Sequence, residues 1–273
     1  MSRPRKILLT GASSGIGLAA THALTAAGHE VWGTARDVRR LPTLPRLHPV
    51  RMDLNDAASI RQGVIHASAM AGRFDVLINN AGDVVNAPLE VLATDGLRAQ
   101  FETLFFGPIE LIRLTLPAMR ENKAGLIINV TSLAVQFPIP FNAGYNTAKA
   151  ALAAASEGLR LELLGTGIRV VDIQPGDVRT QILRRTRTID TELCKAYEPN
   201  LSRSRAAEAK KEGGAIDPQH VARLVLRLLD QANPPSHIAI GNAFESWIAP
   251  LGARLLPRRV VEWGQRLMYD LKN

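Results

Sequence analysis

Short apolar runs alternate with longer stretches of helical periodicity along most of the chain. The runs that read as strands are Lys6 to Thr10, Glu30 to Gly33, Pro49 to Met52, Val76 to Ile78, Leu126 to Val130, Arg169 to Ile173 and Ile238 to Ile240. Between them the pattern predicts helices over Gly15 to Ala27, Asp56 to Ala71, Thr94 to Glu121, Tyr145 to Leu164 and Pro218 to Gln231, with Gly28 closing the first. Strands and helices that take turns in this way are βαβ units. The expected fold is therefore α/β, a doubly wound parallel sheet of about seven strands with helices on both faces.

Two segments break the rhythm. Gln181 to Ala215 is polar and rich in arginine, and it falls after the sixth strand, where an open α/β sheet places its ligand crevice. It reads as a lid over a substrate. The tail from Asn242 to Asn273 carries Trp247, Leu251, Leu255, Leu256, Trp263 and Met268, enough apolar surface to pack against the body. With 273 residues, 46% of them hydrophobic, residues 1–273 are expected to form one domain, with the lid at about 181–215 and a C-terminal extension at about 242–273.

Composition narrows the function classes. The formal charge of +8 attracts polyanions, but only 5% of residues are aromatic and no nucleic-acid-binding module is recognisable. The excess charge is scattered late, at Arg184, Arg185, Arg187, Arg203, Arg205, Lys210, Lys211, Arg258 and Arg259, which reads as solvated surface with no nucleic-acid partner. A membrane-surface role would rest on this charge alone. The single cysteine, Cys194, excludes an intramolecular disulfide and suits a reducing, cytoplasmic setting. The apolar run behind the basic N-terminus ends at Thr10, too early for a signal peptide, and no stretch nears the roughly 18 apolar residues of a spanning helix, so no integral membrane association is expected. The histidines show no metal-ligand spacing, and no metal is expected.

Candidate chemistry begins at the end of the first strand, which runs into Thr10, Gly11, Ala12, Ser13, Ser14, Gly15, Ile16 and Gly17 before a helix. Glycines there let the backbone approach a pyrophosphate, and the helix N-terminus offers free amides. At the end of the second strand a carboxylate would bind ribose hydroxyls and repel a 2′-phosphate. Ala35 and Arg36 stand there, and an arginine fork suits that phosphate, so NADP (as NADPH) is favoured over NAD, unless Arg36 pairs with Asp37 instead. Tyr145 and Lys149 lie four apart on one face of a predicted helix. A phenol of ordinary pKa is a poor acid or base at neutral pH, and a nearby ammonium is expected to lower it. Ser132 follows the strand Leu126 to Val130, where a hydroxyl can hold a substrate oxygen.

Taken in order, these segments resemble the short-chain dehydrogenase/reductase family, from about Lys6 to Ile240. The likeness comprises TGxxxGxG (Thr10 to Gly17), Asp53–Leu54, NNAG (Asn79 to Gly82), Ser132, YxxxK (Tyr145 to Lys149) and PGxVxT (Pro175 to Thr180). The resemblance implies a Rossmann-like carbonyl/alcohol oxidoreductase. By it, Ser132, Tyr145 and Lys149 are catalytic, with Ser132 orienting the substrate oxygen and Tyr145 exchanging its proton. The implied cofactor-binding residues are Gly11, Ser13, Ser14, Gly15, Ile16, Gly17, Arg36, Asp53, Leu54, Asn80, Gly82, Tyr145, Lys149, Pro175, Val178 and Thr180. Among them, Asp53 would meet the adenine, Asn80 the adenosine ribose, Lys149 the nicotinamide ribose and the Val178 backbone the carboxamide.

The chain departs from the family where an asparagine usually precedes a glycine by three residues; here Leu104 stands before Gly107. The family uses that residue in a proton relay, partly through its main-chain carbonyl, which leucine keeps. A non-catalytic NADPH-binding sensor is the alternative that Leu104 favours, and the intact serine, tyrosine and lysine oppose it. Leu133 to Phe141 is apolar and forms either one wall of a pocket for a bulky apolar substrate, as in steroid- and retinoid-type reductases of the family, or core beneath the loop. The lid arginines suit an acidic substrate group instead. Ala148, Ala150, Ala151, Ala153, Ala154 and Ala155 allow close helix approach, which suits a homodimer or homotetramer.

Overall fold

The computed structural model describes residues 3–181 and 186–272. The strands in chain order are β1 (Lys6–Leu9), β2 (Glu30–Ala35), β3 (Leu47–Arg51), β4 (Val76–Asn79), β5 (Val85–Asn86), β6 (Gly125–Val130), β7 (Ile168–Pro175), β8 (Arg187–Thr188) and β9 (His237–Ile240). The helices are α1 (Gly15–Ala26), α2 (Ala57–Ala71), α3 (Thr94–Phe101), α4 (Gly107–Glu121), α5 (Ala143–Glu162), α6 (Asn200–Lys211), α7 (Pro218–Asp230), α8 (Ala249–Leu255) and α9 (Arg258–Met268). Seven strands form one all-parallel sheet in the order β3-β2-β1-β4-β6-β7-β9.

Every residue of β4 and β6 is buried, which is why these strands read as unbroken apolar runs with no alternation. On one face Leu24 of α1 and Val221, Val225 and Leu228 of α7 pack against Ile7, Leu9 and Ile128. On the other, Ile60 and Val64 of α2 and Leu111 and Met119 of α4 pack against Leu8, Leu77 and Ile127. Each fully buried aliphatic chain contributes about 1.5–3 kcal/mol of transfer free energy, so the two layers hold the sheet from both sides. Because all seven strands run the same way, their C-terminal ends share one edge. Gly11, Arg36, Asp53, Asn80, Ser132 and Pro175 all lie at that edge.

The structure differs from the sequence pattern in three places. The helix expected over Thr94 to Glu121 is α3 and α4 joined by a π-turn, Glu102–Phe106. Pro108 has no N–H to give the Leu104 carbonyl four residues back, and the Gly107 N–H instead reaches Glu102 O. Secondly, the segment read as a lid is folded. β8 pairs with β5, a 3₁₀ turn covers Glu192–Tyr197, and α6 follows. Ile182, Leu183, Arg184 and Arg185 lie outside the described residues.

Thirdly, the tail packs only in part. Glu245 bolts it to the sheet, its carboxylate accepting from the amides of Asp177 and Asn242, both at 2.9 Å, and Tyr269 is buried. Trp247, Leu251, Leu255 and Trp263 nonetheless remain exposed. No helix among the described residues is long and apolar enough to cross a membrane.

Candidate active site

The turn after β1 is built from backbone. Thr10 Oγ1 accepts from the amides of Asn80 (2.9 Å) and Ala81 (3.0 Å), and the Asn80 side-chain amide donates to Thr10 O at 2.9 Å, so the NNAG segment is clamped to the glycine turn. Gly11 has φ +69°, a left-handed conformation that L side chains rarely adopt. At Gly17 a Cβ would sit 2.1 Å from Gly11 O and 2.6 Å from the Asn80 amide nitrogen. Ser14 is the extended N-cap of α1, leaving Gly15, Ile16 and Gly17 in a first turn whose amides have no carbonyl four residues back. This cradle fits a dinucleotide pyrophosphate. Thr180 closes over it, close enough that a methyl at Gly15 would meet its side chain at 3.1 Å.

Just past β2, Arg36 is exposed and has neither ion pair nor hydrogen bond among the described residues. Asp37 does not pair with it. That carboxylate takes a two-point contact with Arg39, at 2.9 and 3.0 Å, which holds its pKa below the ordinary value. Asp53 accepts from Asn55 N at 3.0 Å, and Leu54 is buried beneath it.

At the opposite end, the Ser132 hydroxyl hydrogen-bonds to that of Tyr145. Ser132 is itself fixed by accepting from Ala134 N at 3.1 Å. Lys149, one turn along α5 from Tyr145, donates to Val130 O at 2.7 Å and lies 5.9 Å from the tyrosine ring centre. Burial pushes the Lys149 ammonium down to about 8, opposed by the Asp172 carboxylate. Burial also raises the Tyr145 phenol, and the Ser132 hydrogen bond offsets this only in part. The expectation that Lys149 lowers the phenol pKa is thus corrected: burial sets the direction of the shift, while the Lys149 ammonium donates to Val130 O.

A cavity of about 680 Å³ joins these parts. Ile16, Asn80, Gly82, Ser132, Tyr145, Lys149, Pro175, Val178 and Thr180 all line it. Gly11, Ser13, Ser14, Gly15, Gly17, Arg36, Asp53 and Leu54 lie outside its lining. They continue along the C-terminal edge of the sheet in the order β1, β2, β3. Of the apolar segment after Ser132, Leu133, Ala134, Phe137 and Ile139 face the cavity. Asn146 ties that segment to α5 through both the amide and the carbonyl of Ile139. Among the described residues no cluster of three or more histidine, cysteine, aspartate or glutamate side chains suits a metal.

The sequence model for short chain dehydrogenases matches residues 5–190. This chain belongs to the short-chain dehydrogenase family. It is 30% identical over 271 residues to a 3-ketodihydrosphingosine reductase of Bacteroides thetaiotaomicron, covering 99% of this chain and 100% of that one. It is 35% identical over 186 residues to an NADPH-dependent 1-acyldihydroxyacetone phosphate reductase of Schizosaccharomyces pombe, covering 67% of this chain and 62% of that one. A crystal structure of a short-chain dehydrogenase from Streptomyces avermitilis superposes with a TM-score of 0.82 at 29% identity, covering 100% of both chains. The chain is accordingly an oxidoreductase of CH–OH and carbonyl groups, in a family that uses nicotinamide cofactors.

Sequence reasoning missed the other wall of this short-chain dehydrogenase's cavity. Glu208 and Lys211 of α6, Asp177 after β7 and Tyr269 in the tail all line it. Burial raises the Asp177 carboxyl to about 6 and the Glu208 carboxyl to about 7, with the Lys211 ammonium opposing both shifts. A chain of contacts holds α6 in place: Glu208 accepts from Asn142 (3.0 Å), Asn142 from Asn86 (3.1 Å) and Asn86 from Arg205 (2.8 Å). The one available signal was that Glu208 is the sole acid in α6. The described arginines of the segment are engaged at carboxylates, Arg187 at Asp83, Arg203 at Asp270 and Arg205 at Asp190. That removes support for their meeting an acidic substrate.

Proposed function

We propose that this protein is an NADPH-preferring reductase of a ketone carried on a bulky, long-chain apolar substrate, with Tyr145 as proton donor and the reverse oxidation available by the same path. The observation that carries the reading is the meeting of the Ser132 and Tyr145 hydroxyls in a cavity that Asn80 of the nucleotide cradle also lines. A substrate oxygen held between those hydroxyls receives a hydrogen bond from Ser132, and Tyr145 gives up its proton as negative charge develops there. When bound, the reduced nicotinamide supplies the hydride. Lys149 holds a cofactor ribose hydroxyl and keeps positive charge near the phenol. A phenol raised by burial suits a residue that waits protonated.

Arg36, unpaired and exposed where an acid would disfavour a 2′-phosphate, supports NADP over NAD. Gly11, Ser13, Ser14, Gly15, Ile16 and Gly17 take the pyrophosphate. Asp53 and Leu54 take the adenine, and Gly82, Pro175, Val178 and Thr180 line the nicotinamide end. Leu133, Ala134, Phe137 and Ile139 give the cavity an apolar wall, and the named substrates of both curated relatives are ketones of lipids. The described residues act as one domain, in which 186–215 would lie over the substrate. Ala148 is buried, but Ala154 is exposed and Ala150, Ala151, Ala153 and Ala155 are half-buried on α5, which suits a homodimer or homotetramer in the cytoplasm.

Following absorbance at the nicotinamide band with NADPH against a panel of long-chain and short-chain ketones tests the substrate class. Tyr145→Phe should keep NADPH binding by fluorescence titration and lose about 10²–10⁴-fold in kcat. Near-normal turnover in that variant would remove Tyr145 from the chemistry.

A further inference from the structure

The end of the chain carries a second, outward-facing feature that the reaction does not use. Trp247, Leu251 and Leu255, spaced four apart along the π-turn Phe244–Ile248 and α8, are 78%, 59% and 69% exposed. On α9, Val260, Trp263 and Leu267 recur at helical spacing and are likewise exposed, Val260 and Trp263 at the rim where they also line the cavity. Arg254, Arg258 and Arg259 accompany this strip, exposed and without an ion pair among the described residues. The same two helices wall the catalytic cavity from within through Ile248, Gly252, Ala253 and Val261. One apolar layer thus has the cavity behind it and solvent in front.

We infer that the outer face of 244–268 docks on an anionic lipid surface, lying along it without crossing. Two tryptophans in an apolar strip bordered by arginines have the chemistry of a helix at the headgroup boundary, where indoles sit among the heads and guanidiniums meet phosphates. A second copy of this chain fits the face less well. Twofold pairing sets a patch against itself, and Arg258 and Arg259 would then crowd the partner's equivalent positive charges. The net charge of +8 adds long-range attraction to the same surface.

The test uses the full chain with vesicles of phosphatidylcholine alone and of phosphatidylcholine with phosphatidylglycerol. Because Trp32 is buried, a change in tryptophan emission reports Trp247 and Trp263. Sedimentation with the anionic vesicles, a blue shift of emission and weakening by salt are expected. Arg258→Gln with Arg259→Gln should lower the partition coefficient roughly tenfold to thirtyfold. Trp247→Ser with Leu255→Ser, neither of which lines the cavity, should abolish sedimentation while leaving turnover of a water-soluble ketone unchanged. That last readout separates failure of docking from failure of the catalytic reading. Absence of binding to either vesicle, equal binding to both, or a fall in oligomeric state caused by the Trp247/Leu255 variant without vesicles would each overturn the inference. The last result would assign the face to a second copy.

Discussion

The glycine turn and the C-terminal tail wall the same end of one molecule but are held by opposite means. The turn is fixed by main-chain groups packed so closely that no side chain fits, with Thr10 and Asn80 locking two strand ends together. The tail rests on a few side-chain contacts: the Glu245 carboxylate, Gln265 on Pro138 O, and Lys211 on the Tyr269 hydroxyl. In the proposed reading, backbone would bind the part of the ligand that never changes, and side chains on helices would shape the part that varies between substrates.

The hardest blow to that contrast comes at Gly17. A Cβ there would press on the Gly11 carbonyl oxygen and on the Asn80 amide that clamps the turn, so Gly17→Ala should cost about 3 kcal/mol, the upper end for overpacking. Melting should fall by roughly 6–12 °C, and added NADPH should fail to restore it. A variant that melts normally and still binds would show that the cradle has slack, and the two regions would then differ in degree only.

Arg36 sharpens the comparison from within the nucleotide side, because in the proposed reading a side chain would do there what the turn does with amides. Loss of a charge-assisted contact worth about 1.5–3 kcal/mol should raise the NADPH dissociation constant by about 10–100-fold in Arg36→Ala. NADH binding should hardly move. Equal losses for both cofactors would place Arg36 away from the 2′-phosphate.

The same contrast explains what the sequence disclosed. Strands buried on both faces, glycines forced by close approach and paired hydroxyl, phenol and ammonium groups all leave local marks, and the seven strands, the turn and the Ser132–Tyr145–Lys149 grouping were legible from them. The opposite wall of the cavity leaves little beyond a lone acid in α6, since Asp177, Glu208 and Tyr269 meet only after the chain folds back. The direction of the Tyr145 shift was also out of reach. It depends first on burial and then on the Ser132 hydrogen bond, and helical spacing reports neither. The π-turn was half visible, as Gly107–Pro108 inside a predicted helix.

On the substrate side, Glu208 offers a pH test. Its carboxyl is raised from 4.5 to about 7, first by burial. A raised carboxyl contributes stability that is fully present below its unfolded value and lost as pH rises through its folded one. Between pH 4.5 and about 7 the protein should therefore lose about 3 kcal/mol on this account. Glu208→Gln keeps an oxygen for Asn142 and should flatten that slope. An unchanged slope would mean that Glu208 titrates normally and that the wall is wetter than the structure has it.

The smallest effect belongs to Leu104, where the two modes of construction meet. Its side chain is fully buried, so it presents nothing to the cavity, but its carbonyl cannot receive the N–H that Pro108 lacks. If that backbone oxygen is what proton delivery needs, the side chain is incidental to the chemistry. Leu104→Asn should then leave kcat similar or raise it modestly, within the one to two orders of magnitude that a weakened relay would have cost. The buried amide will cost stability, so kcat is to be compared well below the melting temperature. A large fall in kcat with the fold intact would make Leu104 a packing residue that sets the π-turn, and would move this part of the relay from the backbone to the side-chain column of the comparison.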